Sequence, residues 1–175
     1  MRRILVVVDM QKDFIDGALG TKEACAIVDN VVAKIGEYKP EDVYVTLDTH
    51  EENYMDTQEG KNLPVKHCVK NTDGWKLNER IAVATTGAHV FEKPTFGSVK
   101  LAEAIAGEAK AAKGEIEIEL VGLCTDICVV SNALMLKAYM PEVAISADSS
   151  CMAGVTVEKH EAALEVMRSC QIQVK

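Results

Sequence analysis

Five consecutive apolar residues, Ile4-Leu5-Val6-Val7-Val8, stop abruptly at Asp9 and set the frame for the whole chain. A strand with one wet face alternates apolar and polar residues, whereas this β-branched run offers no polar face to water. It predicts a strand buried on both faces at the centre of a parallel sheet. Parallel neighbours need long crossover connections, usually helical, so the rest of the chain should alternate strands with helices. Asp9 falls at the carboxyl end of that strand, the edge at which open α/β sheets bind ligands. Taken alone it also reads as a cap or loop carboxylate.

The expected alternation is present. Thr21 can cap a helix over residues 22–37, with Ile27, Val28, Val31, Val32 and Ile35 as its apolar stripe, ended by Lys39-Pro40. Further strands are predicted over residues 43–47, 89–92, 115–121 and 142–146, and residues 171–174 alternate as an edge strand would. Helical patterns occupy residues 75–84, a stretch from Ser98 to Lys113-Gly114, the segment through Ala138, and a last stretch from Thr156. This order predicts an α/β fold: one doubly wound, mostly parallel sheet of about five or six strands with helices on both faces. At 175 residues, with no linker or repeat, the chain should form a single domain over 1–175, with a long polar insertion at about 48–74.

Composition removes several classes of function. A net charge of −8 without a Lys/Arg cluster argues against nucleic-acid binding. No apolar run approaches the ~18 residues of a membrane span, and the run after Arg2-Arg3 is too short for a signal peptide. The chain is therefore expected to be cytoplasmic, and its six cysteines to be free thiols. Cys151 and Cys170 read as packing residues, and Cys25 acquires no function.

Chemistry concentrates where predicted strands end. Val121-Gly122-Leu123-Cys124-Thr125-Asp126-Ile127-Cys128 leads from a strand through a tight turn into a helix, which places Cys128 in a first helical turn. The helix N-terminus would lower the pKa of a thiol there, although Cys128 reads equally as a small buried hydrophobe. Lys93 precedes Pro94, which holds it out of the α region on a rigid turn. Asp48-Thr49-His50, with Glu59 and His67 in the insertion, could ligate zinc, iron or manganese, or be four solvated loop residues.

Together these segments resemble the isochorismatase-like cysteine hydrolases, and within them most closely the nicotinamidases (pyrazinamidases). The likeness is carried by Val7-Val8-Asp9-Met10-Gln11-Lys12-Asp13-Phe14, Lys93-Pro94-Thr95-Phe96-Gly97-Ser98, Gly122 to Val129, Asp48-Thr49-His50 and His67-Cys68. The resemblance implies Asp9 as general base, Lys93 as its cationic partner and Cys128 as nucleophile. It places the oxyanion on the N–H groups of Cys124 and Cys128, beside a cis peptide between Leu123 and Cys124. It also implies one divalent metal, zinc before iron or manganese, on Asp48, His50 and His67, completed by Glu59, Asp56 or water. The substrate pocket would involve Phe14, Leu19 and Phe96; because Leu63-Pro64 stands where the family commonly has Trp-Pro, one aromatic wall would be missing or supplied by Phe14, Phe96 or Tyr54. The implied reaction converts nicotinamide to nicotinate and ammonia through a thioester. A carbamoyl or ureido amide is the alternative within the class. A redox module on Cys124 and Cys128 is the alternative outside it, although their spacing is not Cys-x-x-Cys. The implied partner is a small amide, and a homo-oligomer is compatible with the chain.

Overall fold

Strand β1 (Arg2–Val8) runs through the middle of the sheet in the computed structural model, which describes residues 1–175. Its neighbours are β2 (Val43–Asp48) on one side and β4 (Ile116–Leu123) on the other. Beyond them lie β3 (His89–Lys93), β5 (Ala144–Ala153) and the short β6 (Gln173–Val174), in the order β3-β2-β1-β4-β5-β6. Every neighbouring pair is parallel. The chain winds outward from β1 to β3, then returns to β4 and winds the other way. The reversal opens a crevice beyond the carboxyl ends of β1 and β4.

The unbroken apolar run of β1 is explained by what covers it. Ile4, Val6 and Val8 face a core shared with α6 (Val99–Ala111), α7 (Val130–Tyr139) and α8 (Val157–Ser169). Leu5 and Val7 face the opposite core, with α1 (Lys12–Ile15), α2 (Lys22–Ala26) and α3 (Val28–Ile35). All five residues are fully buried. Burial of such a side chain contributes about 1.5–3 kcal/mol, so this strand anchors both layers.

Three local expectations are corrected. The helix over 22–37 is two pieces, bent at Ile27 so that Ala24, Ile27, Val28, Val31 and Ile35 are all buried. The helix expected over 75–84 is α5 (Glu79–Ala84) and begins only at Glu79, where Asn78 accepts a hydrogen bond from Arg80 N; before it, Leu77 bridges to Gln11 in an extended segment. Strand β5 does not stop at Ser146 but continues to Ala153. The polar Asp148-Ser149-Ser150 lies where its register with β4 shifts, and Cys151–Ala153 return to the interior. The insertion is mostly irregular, with a short turn at Tyr54–Asp56 and α4 (Gln58–Asn62). No helix is long and apolar enough to cross a membrane.

Gly122 sets how closely β1 and β4 approach below the crevice. Its φ is +116°, and a Cβ there would lie 2.1 Å from Val8 O. Gly107 is the contrast, a glycine of α6 with open space where a Cβ would stand. Gly122→Ala should lower stability by about 3 kcal/mol or more, through backbone strain and displacement of β1. Gly107→Ala should raise it by about 0.5–1 kcal/mol. Urea unfolding of the two variants checks both signs.

Candidate active site

Three neighbouring strands each end in a charged residue. Asp9 follows β1, Asp48 closes β2 and Lys93 closes β3, with Asp48 and Lys93 in register. The Lys93 ammonium is buried, 2.6 Å from Asp9 Oδ2, 3.3 Å from Asp48 Oδ1 and 3.2 Å from Cys128 Sγ. Lys93 is thus the inward-facing last residue of a strand, not a side chain displayed on a turn. The 2.6 Å contact makes Asp9 Oδ2 the direct counter-charge of the ammonium. The other oxygen, Oδ1, accepts a 2.6 Å hydrogen bond from Thr46 Oγ1. The Asp9 backbone itself has a φ of +47°, an uncommon value for a residue with a side chain.

Cys128 enters from a different crossover. The Leu123–Cys124 peptide is cis, and Thr125–Val129 form a wide turn in which Ile127 N and Val129 N both donate to Cys124 O. Helix α7 follows only at Val130, so Cys128 occupies the wide turn rather than the first turn of a regular helix. The Cys124 N–H has no acceptor within the protein. It is a candidate donor for an oxyanion near Cys128 Sγ.

The electrostatics correct one expectation. Burial raises the Cys128 thiol well above its ordinary pKa, and the Asp9 charge raises it further; Lys93 opposes both. The position in the turn therefore does not yield a lowered thiol. Burial also raises Asp9, with Lys93 pulling it down and Asp48 pushing it up. Burial alone would lower Lys93, but Asp9, Cys128 and Asp48 together raise it. The Cys128 thiol thus lies against an ammonium that favours its ionisation and near a carboxyl group that opposes it.

Asp48 turns its second oxygen to the histidines. Its Oδ2 lies 2.8 Å from His50 Nε2 and 3.5 Å from His67 Nε2, while Glu59 Oε1 lies 3.6 and 3.8 Å from the same two nitrogens. The four ligand atoms fall within 4.8 Å of one another. Around a tetrahedral zinc with bonds of about 2.0–2.1 Å, ligand atoms stand about 3.4 Å apart, so the spacing fits. His50 Nε2 is buried and makes no hydrogen bond within the protein. His67 Nδ1 is 2.8 Å from Val65 O, a contact that turns Nε2 towards the cluster. Asp56 is exposed and lies outside this group, so Glu59 is the acid that completes it.

Thiol and cluster open into one cavity of about 580 Å³, lined by Phe14, Leu19 and Phe96 as expected, and also by Leu63, Ile127 and Val155. Tyr54 is not a wall of it. Its ring is buried against His50 and His67, at 4.7 and 5.0 Å between centroids, and its hydroxyl donates to Leu63 O. Cys124 also lines the cavity, its thiol pushed up to about 12 by burial and Asp126, and all six cysteines are free.

Several supporting residues escaped the sequence reading. Gln11 holds the end of β2, accepting from Asp48 N and donating to Asp48 O and Trp75 O. Asn132 accepts from Ser98 N and donates to Cys128 O, which ties the Lys93 loop to the nucleophile turn. Asp13 accepts from Cys68 N beside His67. The available signals were polar side chains within apolar stretches: Thr46 in a strand pattern, and Asn132 four residues after Cys128 on a helix.

A thiol, a carboxylate and an ammonium brought together at the reversal of a doubly wound sheet define the cysteine-hydrolase class. The sequence profile of the isochorismatase domain matches residues 3–174, and the chain belongs to that family. Pyrococcus horikoshii pyrazinamidase, solved in complex with zinc, is 26% identical, with a TM-score of 0.80 over 100% of this chain and 99% of that one. Bacillus subtilis nicotinamidase/pyrazinamidase is 28% identical, with a TM-score of 0.77 over 99% of each chain. N-carbamoylsarcosine amidase of Thermoplasma acidophilum shares the fold, with a TM-score of 0.75 at 22% identity over 100% of this chain and 96% of that one.

The cluster geometry makes a specific prediction. Calorimetric titration of metal-stripped protein with zinc should show one site per chain. Glu59→Gln should weaken it by roughly tenfold or more, a loss typical of a perturbed metal site. Asp56→Asn should leave the isotherm unchanged.

Proposed function

We propose that this hydrolase is a metal-assisted cysteine amidohydrolase that converts nicotinamide to nicotinate and ammonia through a thioester on Cys128. The observation that carries the reading is Lys93 Nζ in contact with both Asp9 Oδ2 and Cys128 Sγ, on a cavity whose wall also holds Asp48, Glu59 and His67. Its relatives act on pyridine- and pyrazine-type amides by their names, and the apolar lining with Phe14 and Phe96 suits a flat ring. In a cytoplasmic setting the reaction would serve NAD salvage.

The steps follow from the charges. Asp9 takes the Cys128 proton as the sulfur attacks the amide carbon, and Lys93 stabilises the developing thiolate. The carbonyl oxygen becomes an oxyanion held by Cys124 N–H and Cys128 N–H, donors worth about 3 kcal/mol each in comparable sites. Asp9 returns its proton to the departing nitrogen, so ammonia leaves as the C–N bond breaks and the thioester remains. A water then loses a proton to Asp9 and attacks the thioester carbon; the C–S bond breaks, and the proton returns to sulfur. When bound at Asp48, His50, Glu59 and His67, a divalent metal, zinc before iron or manganese, supplies a Lewis-acidic anchor for a ring nitrogen. A carbamoyl or ureido amide is the second reading. It would use the same three residues, and the polar side chains of Gln58 and Asn62 in the cavity wall favour it.

Ammonia release from nicotinamide is the direct test. Cys128→Ala should reduce it by roughly 10⁴-fold or more, as loss of a nucleophile does elsewhere. Chelation should slow nicotinamide while sparing a ureido substrate. Release that survives in Cys128→Ala would defeat the mechanism. The pH profile gives a second check. Asp9 must be ionised to act, and its pKa is raised, so kcat/KM should fall on the acid side at a pH above the ordinary carboxylate value of about 3.9. The Thr46 hydrogen bond pulls Asp9 down, so Thr46→Val should move that acid limb to higher pH. Lys93 is raised and stays charged, so it should contribute no alkaline limb below pH ~10.

A further inference from the structure

His160 has no part in the chemistry above, yet it touches the nucleophile turn. It lies half-buried in the second turn of α8, with Nδ1 2.8 Å from Thr125 Oγ1. Thr125 is fully buried and opens the Thr125–Val129 turn, directly after Cys124 and three residues before Cys128. A second hydrogen bond reaches the same turn from the same side, from Val155 N to Asp126 Oδ1 at 2.9 Å. Immediately before Val155 lies Gly154, where a Cβ would stand 2.8 Å from His160 N, so the junction of β5 and α8 folds closely onto its own helix. Gly154 and Val155 line the cavity, which makes this junction continuous with the site.

The turn is also held from outside. Its own backbone bonds run from Ile127 N and Val129 N to the carbonyl of Cys124 and from Val130 N to that of Thr125. On the side of α7, Asn132 holds Cys128 O. On the side of α8, the tilt of the turn is set by the side chains of Thr125 and Asp126. Wide turns of this kind recur at functional sites, and a displacement of about 1 Å in a reacting group can cost 10²-fold in rate.

We infer that His160 is a positioning residue of the hydrolase: through Thr125 it fixes the turn that presents Cys124 N–H and Cys128 Sγ to the substrate. The inference rests on the reading of Cys128 as nucleophile. It assigns no proton transfer to the imidazole.

The test separates positioning from packing. His160→Leu removes Nδ1 and keeps bulk, whereas His160→Asn places an amide where Nδ1 stands. For nicotinamide, kcat should fall about 10- to 100-fold in His160→Leu with KM little changed, and should return to within a few-fold of wild type in His160→Asn. Thr125→Val should lose a similar factor, and the double variant Thr125→Val/His160→Leu no more than the worse single one. Should the leucine variant not fold, His160→Gln, whose amide reaches past Thr125, takes its place. The alkylation rate of Cys128 by iodoacetamide, read on its own peptide, should fall in the same variants. That readout requires no knowledge of the substrate, so a wild type inactive on nicotinamide would count against the proposed substrate and leave the inference to be decided by alkylation. Full kcat and alkylation rate in folded His160→Leu, an asparagine variant as poor as leucine, or losses that multiply in the double variant would each overturn it.

Discussion

A buried ammonium governs the architecture of this protein. Lys93 is 1% exposed, and a charge in that position persists only where opposite charges meet it. Asp9 and Asp48 do so, and the three groups come from the ends of β1, β2 and β3. Removal of one partner from a buried pair typically costs about 3–5 kcal/mol, so the charges fix the relative placement of these strand ends as firmly as the core does. The same contacts hold the groups of the proposed chemistry. The carboxylate that neutralises Lys93 is the proposed base, and the lysine that neutralises Asp9 lies against the sulfur.

Around this pair, the protein spends its buried hydrogen bonds on position. Thr46 holds one oxygen of Asp9 and leaves the other to Lys93. Gln11 stands in for a strand neighbour at the end of β2, so that Asp48 can face Lys93 with one oxygen and two histidines with the other. Asn132 joins the loop after β3 to the turn that carries Cys128. Each of these side chains links segments more than thirty residues apart, or bridges two loops. The site is therefore held by cross-links between crossovers rather than by any one element.

What was legible beforehand divides along the same line. Local pattern was enough for the doubly buried β1, for the acid at its end and for the alternation that implies a parallel sheet. Motif resemblance was needed for Lys93, because Pro94 after it suggests a displayed turn and nothing local reveals that the side chain points inward. The direction of the Cys128 shift was misjudged: a helix-terminus argument sees the turn but not the burial and the carboxylate brought by β1. Tyr54 was misplaced for a similar reason, since an aromatic in an insertion can back the metal ligands as well as line a pocket. Continuation of β5 past Asp148-Ser149-Ser150 was hidden because those residues look like a loop, while β4 pairs again with the chain at Met152. His160 left no local signal at all; its partner is thirty-five residues away.

The position of β1 also governs when the site can assemble. It comes before every other strand of the sheet in chain order, yet its partner on one side is β4, with Val8 opposite Gly122. Parallel pairings over such separations form slowly, because loop-closure entropy is lost before the contacts can compensate. Until β4 docks, Cys128 has neither Asp9 nor Lys93 beside it. The cluster is thus a property of the completed topology: Cys128 is set apart from the other five free thiols only when the first and fourth strands meet.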